Sequence, residues 1–334
     1  MQLTAPIRTY RDLVSGTIPE TTWLVESFFV KGSRVLLYGD PGSMKTWLAL
    51  DLGLHLAAGL PWLGRFTVPA PQSVLYLDEE MGEVEVARRV TQLAKAAHLE
   101  HASLPFHVLS QAGVRFSADG IATLRKKIAE LDPQVIIVDT LRRVLVGSEN
   151  DQSDVTDFWR HVLSLMTGGR TVIILHHMRK AGQTGGGDAK YRASGHFDLI
   201  AGGDCSYAIA TTRDPDGTCA ITWRCTKLRG AEEPSDFTVR VADTPDTAAT
   251  SVTFGDFHTP APAILPAKVS AVLALCEQHP TLTHNAIYAH AHPQLTQLGV
   301  SRSTFYKTFL RHPCAHTQTH TPRETGELSP ESVT

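Results

Sequence analysis

A chain of 334 residues with 42% apolar residues can bury one large core and a smaller second one, and its formal charge of -3 excludes nucleic-acid recognition through a global positive field. No run approaches the roughly 18 to 20 apolar residues of a membrane span, and the opening MQLTAPIRTYRDL lacks the basic start and apolar run of a secretion signal, so a cytoplasmic location without a membrane partner is expected. The cysteines Cys205, Cys219, Cys225, Cys276 and Cys314 are scattered and never form Cys-x-x-Cys, which suits free thiols rather than a disulfide or zinc framework.

Between Ser33 and Thr226, short β-branched apolar runs alternate with longer helical stretches, the pattern of an α/β fold with a mainly parallel sheet flanked by helices. Strands are expected at 34–38, 73–77, 135–138, 171–175, 206–211 and 219–225, and helices at 45–58, 84–97, 119–131 and 155–167. The last two strands flank Arg213-Asp214-Pro215-Asp216-Gly217, whose Pro and Gly favour a hairpin. From about Thr238 the texture becomes rich in Pro and Thr. The domains expected are therefore 1–240 for the α/β unit, 241–266 for a linker, 267–313 for a small helical unit and 314–334 for a polar tail.

Strand 34–38 runs directly into Gly39-Asp40-Pro41-Gly42-Ser43-Met44-Lys45-Thr46 and then into an apolar helix, the context a phosphate-binding loop needs. Its glycines let backbone N–H groups converge on phosphate oxygens, Lys45 offers a charge to the β/γ-phosphates of ATP, and Thr46 offers a hydroxyl to Mg²⁺. Met44 stands where the strict pattern has glycine, and a negative φ there is expected to turn its side chain away from the phosphates. Strand 73–77 ends in Asp78-Glu79-Glu80, carboxylates at the sheet edge where an open α/β fold holds its ligand. Strand 135–138 ends in Asp139, placed to hold Mg²⁺, and strand 171–175 ends in His176-His177, polar groups able to sense a γ-phosphate.

The order of these segments over Thr22 to Gly230 resembles the RecA-like P-loop ATPases, and within them the RepA- and DnaB-type hexameric replicative helicases and their phage and plasmid relatives. The resemblance implies that Glu80, with Glu79 as neighbour, activates water, and that His177 is the polar sensor. It sets Arg192-Ala193-Ser194-Gly195 on the family's Arg-x-Ser-Gly segment. It also implies that Lys227 and Arg229, in Thr226-Lys227-Leu228-Arg229-Gly230, reach a neighbouring subunit's γ-phosphate as trans-acting fingers, hence a homo-oligomeric ring, a hexamer in that family. The stretch 178–190, with Gly185-Gly186-Gly187 among Arg179, Lys180 and Lys190, is poor helix or strand material; the family's corresponding loop touches single-stranded DNA. Arg142 and Arg143 could extend that basic lining.

In the small unit, helices are expected at 267–276, 283–290 and 301–311, the last carrying Arg302, Ser303, Thr304, Tyr306 and Lys307. This is helix-turn-helix or winged-helix material, although the connection 291–300 is longer than the usual turn; a helical cap or subunit-docking module fits equally. The function expected is an ATP-hydrolysing, DNA-dependent motor, most simply a replicative helicase of a plasmid, phage or integrated element. The alternatives are an ATP-switched loader, recombination mediator or DNA-binding regulator that unwinds nothing.

Overall fold

The computed structural model describes residues 8–16, 20–177, 198–213, 219–244 and 247–257 and, further on, 272, 274–275, 278–279, 283–297, 300–302 and 305. In chain order the first elements are α1 (Tyr10–Ser15), β1 (Trp23–Val25), β2 (Phe29–Val30), β3 (Arg34–Gly39), α2 (Lys45–Ala58), β4 (Val74–Asp78), α3 (Glu83–Ala96), β5 (Phe106–Ser110) and α4 (Ala118–Leu131). Then follow β6 (Val135–Asp139), α5 (Leu141–Val144), α6 (Gln152–Leu165), β7 (Thr171–His177), α7 (Asp198–Gly202), β8 (Cys205–Arg213), β9 (Cys219–Leu228), β10 (Phe237–Thr244), β11 (Ala249–Phe257) and α8 (His284–Gln297).

Nine strands form one sheet in the order β11-β10-β9-β8-β3-β7-β6-β4-β5. From β8 to β5 the pairs are parallel, and β9, β10 and β11 continue from β8 as an antiparallel meander. Every residue of β4 and β6 is buried, as parallel strands covered on both faces require. The pleat sorts successive side chains into two cores. Val35 and Leu37 join Leu48, Leu52 and Leu56 of α2 on one face. Leu36 and Tyr38 join Leu124 and Ile128 of α4 and Phe158 and Val162 of α6 on the other.

The sequence did not announce every strand. Strand β5 lies at the sheet edge and is only half-buried, so it carries no continuous apolar run. Residues 241–244 and 249–257, expected as part of a linker, instead belong to the strands β10 and β11, which aromatic contacts across distant segments hold in place. Phe237 stacks on Trp223 with centroids 6.0 Å apart and on Phe254 at 5.7 Å, and meets Phe28 edge-on at 5.3 Å. Local periodicity cannot register such pairs.

Chain contacts divide the protein into Met1–Thr259 and Pro260–Thr334. In the second unit Val272, Leu275, Ile287, Ala291, Leu295, Val300 and Phe305 form a small core. Helix α8 runs past the end expected at His290 and through Pro293, because Ile287, Ala291 and Leu295 continue one buried stripe at four-residue spacing. Most of the stretch expected as a third helix and the tail 314–334 lie outside the described residues, so the helix-turn-helix expectation receives no geometry.

One buried acid stands inside the larger core. Asp51 of α2 is 4% exposed, accepts a hydrogen bond from Trp62 Nε1 at 3.1 Å and lies 3.4 Å from His55 Nδ1. Burial pushes its pKa up to about 6, with His55 and Trp62 pulling the other way. A raised folded-state value means that the folded protein keeps this proton where the unfolded chain has released it, so the contribution to stability declines as pH rises toward 6. Asp51→Asn, which keeps an acceptor for Trp62, is expected to gain about 1 kcal/mol relative to the parent chain between pH 5 and pH 7.5. Denaturant unfolding at the two pH values checks this; a pH-independent difference would contradict it.

Candidate nucleotide-binding site

The C-terminal ends of β3, β4, β6 and β7 lie on one edge of the sheet, with Asp78 paired to Asp139 and His177 to Gly39 in register. Strand β3 ends at Gly39, where a Cβ would stand 2.2 Å from the Ile209 carbonyl oxygen, so glycine is the residue that fits this close approach. Gly42 follows with φ of +79°. Met44 also adopts the left-handed region, φ 63° and ψ 16°, which corrects the negative φ expected there. The phosphate-loop pattern places glycine here because the backbone demands this conformation; here methionine carries a strain on the order of 1–2 kcal/mol. Its side chain is offset by packing on the larger core.

Lys45 opens α2 and is 6% exposed. Its ammonium donates to the carbonyls of Gly39 (3.0 Å) and Asp40 (2.8 Å) and to Ser43 Oγ (3.2 Å). Burial lowers its pKa to about 8, against the opposing pull of Asp139, Glu80 and Asp40. Thr46 Oγ1 donates to Asp139 Oδ2 at 2.7 Å, and the buried Tyr76 hydroxyl donates to the same oxygen at 2.8 Å. Asp139 is 2% exposed, and burial raises its pKa to about 6 despite these two donors. Burial foremost and then Asp139 hold the Tyr76 phenol well above its ordinary value, so it stays a donor.

Glu80 is presented by a loop that Asp78 organises. The Asp78 carboxylate accepts the backbone N–H groups of Glu80 (3.1 Å), Met81 (2.9 Å) and Gly82 (2.8 Å), as well as the Ser110 hydroxyl (2.5 Å). Burial alone would raise its pKa, but these donors outweigh it and the value is lowered. Glu80 Oε2 stands 3.8 Å from His177 Nε2, an ion-pair spacing. His177 foremost, then Arg143 and Lys45, hold Glu80 below the usual carboxylate range against its partial burial.

These groups line a cleft of about 230 Å³ with Gly42, Trp47, Met81 and Arg89. Thus Lys45, Thr46, Glu80, Asp139 and His177 converge as the sequence suggested. Glu79 does not: its carboxylate accepts the N–H groups of Gly113 (3.1 Å) and Val114 (2.9 Å), a tie to the loop after β5. Sequence reasoning missed Tyr76, Trp47 and Arg89, and named Asp78 only as one of three acids ending the strand, not as the group that organises the loop. Arg89 lies 5.0 Å over the Trp47 ring and pairs with Glu85 at 2.7 Å; the helical spacing of Glu85 and Arg89 was the one local signal for it.

Lys227 and Arg229 sit elsewhere. Val35 pairs with Cys205 and Cys205 with Leu228, whereas Gly39 pairs with Ile209, so the end of β9 lies at the opposite edge of the sheet from the phosphate loop. The four steps from Val35 to Gly39 alone span about 13 Å. The Lys227 ammonium donates to the carbonyls of Ile200 (3.3 Å), Ala201 (2.7 Å) and Gly203 (2.6 Å), satisfying the end of α7. That engagement corrects the pairing of Lys227 with Arg229 as equivalent fingers. Arg229, with a side chain 58% exposed, keeps an open guanidinium edge and meets Asp204 Oδ1 at 3.1 Å. The basic stretch 178–190 and the segment 191–195 lie outside the described residues.

The cleft suits a nucleoside triphosphate with Mg²⁺: a buried cation, a hydroxyl and a carboxylate converge where backbone N–H groups begin a helix. Among the described residues no group of three or more His, Cys, Asp or Glu could hold a metal ion.

A parallel sheet with this loop between β3 and α2 and an acidic end on β6 defines a RecA-like P-loop ATPase. The chain belongs to the AAA_25 family of AAA domains, which matches residues 5–183. It is also similar to the DNA repair protein RadA of Bacillus subtilis, with 26% identity over 162 residues. That match covers 47% of this chain and 30% of RadA, so the chain aligns with under a third of this relative's length. Among solved structures, a KaiC-like protein of Pyrococcus horikoshii superposes with a TM-score of 0.46 at 12% identity, over 70% of this chain and 93% of that one. No helix among the described residues is long and apolar enough to cross a membrane.

Two predictions follow the geometry of this cleft. Glu80→Gln is expected to retain ATP and lose hydrolysis by on the order of 10² to 10⁴, whereas Glu79→Gln keeps near-parental turnover; paired binding and phosphate-release assays check this, and the reverse pattern would contradict it. Met44→Ile places a β-branched residue at positive φ and should lower stability by about 1–2 kcal/mol, while Met44→Gly should bind ATP at least as well as the parent. Melting and nucleotide titration of the two variants read the difference.

Proposed function

We propose that the chain is a DNA-dependent ATPase motor that works as a ring of identical subunits, a hexamer in the simplest case, and unwinds DNA as a replicative helicase of a plasmid, phage or integrated element. The observation that supports this reading is the position of Arg229: an exposed guanidinium at the sheet edge opposite its own phosphate loop is out of reach of its own nucleotide and open to a neighbour's. In each subunit Lys45 would meet the β/γ-phosphates, Thr46 and Asp139 would hold Mg²⁺, Glu80 would take a proton from the attacking water and His177 would orient Glu80. Bound Mg²⁺ contributes neutralisation of the phosphate oxygens. A planar guanidinium from the neighbour suits charge developing on the transferred phosphoryl group, and such fingers contribute on the order of 10³ to 10⁵ in rate.

A second reading is an ATP-switched recombination or repair mediator without unwinding activity, favoured by the similarity to a protein named for DNA repair. The stretch 178–190 supplies the basic residues for single-stranded DNA in either case. ATP turnover with and without single-stranded DNA, followed by strand displacement, separates the readings: stimulation with displacement supports the helicase, stimulation alone supports the mediator, and no response to DNA contradicts both.

The trans role is tested by mixing. Arg229→Ala and Lys45→Ala subunits should each be inactive, yet a mixed assembly should recover part of the turnover at junctions that join an intact phosphate loop to an intact Arg229. A mixture that co-assembles and stays inactive would contradict the trans assignment.

A further inference from the structure

Two guanidinium groups meet one carboxylate at the sheet edge opposite the phosphate loop, with the Lys227 ammonium near enough to feel it. Asp204, just before β8, accepts from Arg34 in a fork: Arg34 Nη2 to Oδ1 at 2.8 Å and Arg34 Nε to Oδ2 at 2.9 Å, with the Arg34 backbone N–H on Oδ2 at 3.0 Å. The Asp204 backbone N–H in turn donates to the Arg34 carbonyl at 2.8 Å. Arg34 rests 5.8 Å from the Trp159 ring. Both partners of this pair are largely covered, at 18% and 21% side-chain exposure. The carboxylate is therefore fixed in position, orientation and ionisation before Arg229 is considered.

Arg229 is then added at two points. Its backbone N–H donates to the Asp204 carbonyl at 3.1 Å, and its Nη1 donates to Asp204 Oδ1 at 3.1 Å. One guanidinium already neutralises Asp204, so a second on the same oxygen, with Lys227 close by, leaves surplus positive charge at this edge. An arrangement serving stability alone gains little from crowding like charges. It does tie one nitrogen of Arg229 to Asp204 while the side chain stays 58% exposed and so accessible to an anion. Preorganisation of this kind lowers the entropy lost when a charged group meets its target.

We propose that Asp204 is a positioning residue for the reaction: clamped by Arg34, it seats the Arg229 guanidinium in the orientation in which that group meets the nucleotide of a neighbouring subunit. This inference rests on the trans reading of Arg229 given above. It also joins the two halves of the chemistry through one strand, since Arg34 begins β3 and Gly39 ends it.

The test uses the full chain with ATP and Mg²⁺. Asp204→Asn removes the charge and keeps the size; it should lower kcat on the order of tenfold or more with KM within about twofold, because the loss falls on the transition state and not on the subunit's own ATP. Mixed with Lys45→Ala subunits, whose Asp204 and Arg229 are intact, Asp204→Asn subunits should regain turnover. Arg34→Lys, which keeps the charge and loses the fork, should show the same kcat loss in milder form and decides the case should Asp204→Asn melt early. Parental kcat in both variants overturns the proposal, as does an inactive Asp204→Asn and Lys45→Ala mixture when the Arg229→Ala and Lys45→Ala mixture recovers. Failure of that second mixture overturns the trans reading and this proposal together, so the two failures are distinguishable.

Discussion

A strand cannot bring its two ends together, and β3 carries a different charged assembly at each. At Gly39 it feeds the phosphate loop; at Arg34 it clamps Asp204, on which Arg229 rests. Buried between β7 and β8 and covered by both cores, the strand is rigid by packing. Under the trans role proposed for Arg229, the strand holds the two halves of one hydrolytic site apart within a chain. In the proposed assembly each junction would join one chain's phosphate loop to the next chain's guanidinium.

Within the cleft the dominant constraint is desolvation. Lys45 and Asp139 are both nearly covered, and burial pushes each toward its neutral form; Asp139 pulls Lys45 back, and the Thr46 and Tyr76 donors pull Asp139 back. Such groups gain from an incoming polyanion and its cation more than exposed ones would, because charge interactions are stronger where water is excluded. The surrounding hydrogen bonds keep the set in place: Tyr76 and Thr46 fix Asp139, and Asp78 fixes the loop that presents Glu80. Glu80 and His177 remain the more accessible pair, at 37% and 30% side-chain exposure, on the side from which water would arrive.

The parts legible in the sequence were those whose signal is local. Helix α2 has the boundaries read for it, and the buried strands β4, β6 and β7 stood out as apolar runs ending in polar residues that the fold brings to one edge. What escaped depends on contacts between distant segments. The β10–β11 hairpin is held by Phe237 and Phe254 against Phe28, Phe66 and Trp223, and its Thr- and Asp-containing stretches read as linker. Asp78 and Glu79 were indistinguishable from Glu80 as neighbouring acids, because whether a carboxylate faces backbone amides or the cleft is set by the turn after β4. Met44 was misread for a related reason: the loop imposes its left-handed backbone whatever residue stands there.

The central claim is that the chain is completed only by a neighbour. Native mass measured with Mg²⁺, in the presence and absence of a non-hydrolysable ATP analogue, addresses it directly. The account predicts that the analogue draws subunits into a closed assembly of several chains. A chain that stays monomeric at concentrations where it hydrolyses ATP at its full rate would contradict it.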